Sequence, residues 1–157
     1  LQAADLQPVP WEKCLLAVLE RLNGQNLNWW LVGSCALAVR GLPVNSHDVD
    51  LVVQDQGSIQ MSALLLDTQV EPVSSSRGWI WDWFGRCFLH ARLEWVGDVN
   101  DQADQNGPCD FGLIAQSRSE TIQWRGYTLK VPPLDLQLAV SEQRGLKERA
   151  ALIRAAL

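Results

Sequence analysis

The chain has 157 residues, 47% of them apolar and 20% charged, with 13 Lys and Arg against 18 Asp and Glu for a net charge of −5. That length suits one globular domain spanning residues 1–157, and the apolar content excludes intrinsic disorder. The charge is uneven: residues 1–47 are neutral overall, residues 48–110 hold eleven acids and three bases, and residues 111–157 hold four acids and seven bases.

Trp11, Leu15, Val18, Leu19 and Leu22 recur at helical spacing, and Asn23-Gly24 stops that helix. Trp29 to Val32 reads as a short buried strand ending at Gly33-Ser34, and Cys35 to Arg40 as a short helix with Ser34 as its N-cap. Val49 to Val53 form a second strand that carries Asp48 and Asp50, and Ser58 caps a helix to Leu66. Extended segments follow at 70–73, 79–84 and 87–96, then a polar, acidic surface loop from Gly97 to Asp110. Tyr127 to Val131 is a strand, Pro132-Pro133 opens a helix to about Arg144, and Lys147 to Leu157 is a last helix. Alternating helices and strands predict an α/β (α+β) architecture, a short mixed sheet flanked by helices, with helices 133–157 part of the same domain.

The chemistry concentrates between residues 30 and 51. Strand side chains alternate, so Asp48 and Asp50 share one face while Val49 and Leu51 enter the core. Two parallel carboxylates repel each other unless a cation lies between them, and hard divalent ions favour such oxygen ligands. Gly33 and Ser34 sit where a strand turns into a helix, so their N–H groups can receive a phosphate. Metal ligands beside a phosphate cradle are what phosphoryl or nucleotidyl transfer requires.

This pattern, an apolar residue, Gly33-Ser34, a gap of about a dozen residues, then Asp48-Val-Asp50, resembles the DNA polymerase beta-like nucleotidyltransferase superfamily. The size and order of elements are similar to small bacterial nucleotidyltransferases, including the aminoglycoside, lincosamide and toxin-system enzymes. The resemblance implies the nucleotidyltransferase fold and transfer of a nucleoside monophosphate from a nucleoside triphosphate, ATP among them, to an acceptor hydroxyl, with release of pyrophosphate. It implies two Mg²⁺ ions, or Mn²⁺ in their place, on Asp48 and Asp50, with a third carboxylate that completes the metal site or acts as base for the acceptor hydroxyl. Glu94 is the first choice for that carboxylate, its plain alternative being an ion pair with Arg92 or a neighbouring strand, and Asp98, of the same strand parity, is the competing one. The alternatives are a nucleotidyltransferase-fold binding or antitoxin-like protein without turnover and, further off, a metal-dependent glycosyltransferase.

Four bases are candidates for the triphosphate: Arg40 ending the short helix, His47 beside Asp48, and Lys147 and Arg149 in the basic tail. Each has a plain alternative as a solvated charge. Trp79, Trp81 and Trp83 alternate on one face as sheet core, or as a stacking wall for a nucleobase or a ring-bearing acceptor, while His90 reads as a hydrogen-bonded core histidine. Cys14, Cys35, Cys87 and Cys109 show no paired spacing, which reads as buried thiols in a reducing cytoplasm rather than a zinc site. Residues 1–5 lack the basic and apolar regions of a secretory leader, and no run reaches the ~18 apolar residues of a membrane span. The acidic middle argues against long nucleic acid as a partner. The acceptor, the preferred base and the oligomeric state are not written in any motif.

Overall fold

The computed structural model describes residues 8–75 and 80–157; the expectations for the N-terminal residues 1–5 and for Trp79 lie outside them. Helix α1 (Trp11–Leu22) keeps Cys14, Leu15, Val18, Leu19 and Leu22 on its buried stripe, as the apolar spacing requires. Strand β1 (Asn28–Val32) runs into the short helix α2 (Gly33–Val39), and β2 (Asp48–Gln54) runs back antiparallel to β1. Then come α3 (Ser58–Leu64), a 3₁₀ turn at Leu66–Thr68, and strands β3 (Gln69–Ser75), β4 (Trp83–Leu89) and β5 (Ala91–Gly97). These make a five-stranded sheet in the order β1-β2-β5-β4-β3, mixed because β2 and β5 alone run parallel.

A 3₁₀ turn at Asp101–Asp104, α4 (Leu113–Ser117), the hairpin β6 (Glu120–Trp124) and β7 (Tyr127–Val131), then α5 (Leu134–Gln143) and α6 (Lys147–Ala156) complete the chain. Arg125 and Gly126 make the two-residue hairpin turn, both at positive φ as that tight turn demands. Trp11 of α1 stacks on Trp124 of the hairpin with ring centroids 6.0 Å apart.

The two faces of the sheet have different cores. Helix α1 covers the first, where Leu31, Val49, Leu51, Leu93 and Trp95 are buried. Trp30, Val32, Val52, Val99 and Ala115 form a smaller cluster on the second, with Trp81, Val96, Phe111 and Leu136 packed against it. The strand alternation that buries Val49 and Leu51 on the first face puts Asp48 and Asp50 on the second.

Several expectations need correction. The segment 87–96 is two strands, because His90 turns the chain at φ 64° between paired Leu89 and Ala91; that histidine is exposed at a hairpin tip, not in the core. Strand β4 starts only at Trp83, so Trp81 and Trp83 do not share one strand face. Trp81 joins the second-face cluster, while Trp83 lies against Gly97 on the first. Neither Ser34 nor Ser58 caps its helix: both helices start without a side-chain cap, and Ser34 Oγ instead lies 3.2 Å from Ser46 Oγ. The stretch 97–110 is not wholly surface, since Val99 and Cys109 are buried. Short elements at Leu113–Ser117 and Glu120–Trp124 escaped the sequence patterns altogether.

Candidate functional site

Strand pairing draws a transverse row across the second face. Val32 of β1 lies opposite Asp50 of β2, Asp50 opposite Glu94 of β5, and Glu94 opposite Arg86 of β4. One step along, Asp48 lies opposite Arg92. Arg86 Nε donates to Glu94 Oε1 at 3.1 Å, Arg92 Nε lies 3.3 Å from the same oxygen, and Arg92 Nη2 donates to Asp48 Oδ2 at 3.2 Å. Asp98, the competing third carboxylate, is four residues further along: its amide bonds the Val53 carbonyl, and its carboxylate accepts from the Gln56 amide at 2.9 Å. Glu94 is therefore the acid that shares the row with Asp50.

A fourth carboxylate, Asp110, joins the site without any motif in the sequence to announce it. Its Oδ2 accepts from the Gly33 amide and from Gln137 Nε2, both at 3.3 Å, and Gln137 Nε2 also donates to the Gly33 carbonyl at 3.0 Å. The nearest thing to a signal was its setting, an acid between a cysteine and Phe111 at the end of a polar loop. Gly33 itself must lack a side chain: at φ 69° an added Cβ would stand 3.0 Å from Asp50 Oδ2. Burial first, then the charges of Asp48, Glu94 and Asp110, pushes the Asp50 carboxyl up to about 7, with Arg92 pulling the other way.

A cavity of about 460 Å³ opens above this row. Gly33, Asp50, Glu94 and Asp110 contribute its polar wall, Trp81, Phe84, Val96 and Phe111 an apolar one, and Gln137, Arg144 and Arg149 close it from α5 and α6. Of the basic candidates, only Arg149 lines this cavity. Lys147 lies in a separate shallow depression with Pro43 and Asn45, and His47 is exposed in another. Arg40 turns away to Glu120 and to the Pro132 carbonyl at 2.9 Å, tying α2 to the β6–β7 hairpin. Ser34 is 9% exposed, with its hydroxyl directed at Ser46.

Asp48, Asp50 and Glu94 are hard oxygen donors of the kind a divalent cation takes, and the Asp50 carboxyl is raised by its burial first and then by neighbouring negative charge that a cation would offset. Among the described residues they do not close around one point, and Arg92 bridges Asp48 and Glu94. By donor chemistry alone the set suits a hard divalent ion.

A mixed sheet with Gly-Ser at a strand-to-helix turn and paired acids on the next strand is similar in fold to solved nucleotidyltransferases. Residues 14–77 match the family model described as aminoglycoside-2''-adenylyltransferase, a span that holds Gly33, Ser34, Asp48 and Asp50 but not Glu94 or Asp110. A candidate nucleotidyltransferase from Thermotoga maritima is similar at 20% identity, covering 92% of this chain and 91% of that one with a TM-score of 0.68. The lincosamide antibiotic adenylyltransferase LnuA, lincomycin-bound, is similar at 13% identity, covering 84% and 85% with a TM-score of 0.57. ANT(2'')-Ia in complex with adenylyl-2''-tobramycin is similar at 13% identity, covering 92% and 88% with a TM-score of 0.59. No curated protein sequence matches the chain. The family model and these structures agree with the resemblance carried by residues 30–51, and the chain has the nucleotidyltransferase fold.

Proposed function

We propose that the protein transfers a nucleoside monophosphate from a nucleoside triphosphate to a hydroxyl of a small-molecule acceptor and releases pyrophosphate. The observation that carries this reading is the row Asp50–Glu94, with Asp48 beside it, facing the Gly33 turn across one cavity. The triphosphate lies along Gly33 and Ser34 with Arg149 at the far wall; displacing Asp110 would free the Gly33 amide for a phosphate oxygen. Asp48, Asp50 and Glu94 would hold Mg²⁺, or Mn²⁺ in its place, which supplies positive charge to the triphosphate and acidifies the acceptor hydroxyl. Glu94 takes the hydroxyl proton as the acceptor oxygen bonds to the α-phosphorus and the bond from that phosphorus to the bridging oxygen breaks.

Two of the similar structures hold an antibiotic or its adenylylated product, which supports a small hydroxyl-bearing acceptor here. Four buried free thiols support a reducing, cytoplasmic setting. Among the described residues no helix is long and apolar enough to cross a membrane.

The test incubates the protein with each labelled nucleoside triphosphate, Mg²⁺ and a small-molecule extract. A labelled product and pyrophosphate are expected, both lost in Asp50→Asn with the circular dichroism spectrum unchanged. Label transfer by Asp50→Asn would exclude the role given to that carboxylate. No product with any triphosphate would favour a binding protein of the same fold.

A further inference from the structure

The position of the acceptor hydroxyl limits what the rest of the acceptor can be. A proton given to Glu94 must come from a hydroxyl within hydrogen-bond reach of it. The next residue of β5 on that face is Val96, which pairs with Phe84 of β4. Trp81 packs against this cluster, and Phe111 meets its ring edge-on with centroids 6.3 Å apart. The chain offers no carboxylate among these four side chains.

We propose that this end of the cavity binds the acceptor, and that the acceptor is a ring-bearing alcohol with an apolar body and no more than one positive charge. The inference rests on the nucleotidyl-transfer reading and names the substrate class of that same site. Three observations favour it over a polycationic acceptor. Flat apolar walls take up a ring by stacking and area burial. The Arg86 guanidinium lies 5.4 Å from the Phe84 ring centroid, so a cation already sits over this ring. The charged side chains that α5 and α6 add to the cavity are Arg144 and Arg149, which repel further positive charge.

Calorimetric titration of the full chain, with Mg²⁺ and α,β-methylene-ATP present so that no transfer occurs, compares two probes. Phenyl β-D-glucoside is neutral and ring-bearing; tobramycin is polycationic. The glucoside is expected to bind at least about tenfold more tightly, and Phe84→Ala and Trp81→Leu each to weaken it roughly tenfold, from the loss of one stacking partner. Thermal melts of both variants report whether they fold, and two substitutions on separate segments guard against one that does not. Tobramycin binding as tightly as the glucoside, neither probe binding, or both folded variants binding the glucoside like wild type would overturn the inference. Titration with the nucleotide analogue alone separates the two readings. If the analogue does not bind while the rings still select the glucoside, nucleotidyl transfer fails and the ring preference stands. If it binds and the glucoside arm fails, only this inference falls.

Discussion

At Asp50 the carboxyl rises from its ordinary 3.8 to about 7, so the folded and unfolded chains hold different numbers of protons between those values. There the unfolded chain has lost the proton and the folded chain keeps it. The contribution of this group to stability is therefore greatest below the unfolded value and falls as pH rises toward 7. Metal-free protein should lose melting temperature through this group between about pH 5 and pH 7, and Asp50→Asn should flatten that part of the curve. Melts of both proteins over that range check the assignment; parallel curves would place the titration elsewhere. The same crowding explains why the site asks for a cation, since ionising Asp50 adds a charge beside Asp48, Glu94 and Asp110.

The sheet that sets those residues side by side depends on a close approach between β4 and β5. Gly85 lies opposite Trp95, and a Cβ at position 85 would stand 2.2 Å from that ring, which is 1% exposed. Gly85→Ala should destabilise the protein by about 2–3 kcal/mol, as overpacking a full core does, with the loss read from urea unfolding. An unchanged unfolding midpoint would mean that the ring has room the packing does not suggest. How far such elements could be read in advance follows from their local chemistry. Helix α1 and strand β2 were legible because one apolar period governs each, 3.6 in the helix and 2 at Asp48 to Leu51. The β4–β5 turn was not, because it has no Gly, Pro or Asn: His90 alone takes the left-handed conformation inside an unbroken apolar run. Hairpin strand β6 hid for another reason, since Ile122 and Trp124 are only half-buried and the other three residues are exposed. At the site, alternation placed Asp48, Asp50 and Glu94 on compatible faces, whereas Asp110 meets Gly33 across 77 residues of chain, and no local pattern reports such a contact. Arg40 shows the converse: position suggested a phosphate contact, and Glu120 and Pro132 claim the side chain instead.

Over the whole molecule the net charge of −5 hides a local surplus. Outside the site, some acids pair with bases, as in Arg21 with Asp67, Arg118 with Asp135 and Arg154 with Glu142. At the site, Arg86 and Arg92 serve Asp48 and Glu94, while the charge of Asp50 is opposed chiefly by Arg92 alone. Divalent cations should therefore bind the folded chain and stabilise it by mass action, by about 2.7 kcal/mol at a hundred times the dissociation constant. For a domain of this size that is a rise in melting temperature of roughly 5–10 °C. Arg92 is half-exposed and must leave Asp48 and Glu94 for a cation to reach both, so it competes with the metal. Arg92→Gln should lower the metal-free melting temperature only slightly, because an exposed pair contributes little, and should shift the Mg²⁺ titration of melting temperature to lower concentration. Asp50→Asn should abolish the rise. A Mg²⁺-dependent rise of equal size in wild type and Asp50→Asn would place the cation away from this row, and a titration shifted to higher concentration in Arg92→Gln would make the arginine a support for the metal rather than its competitor.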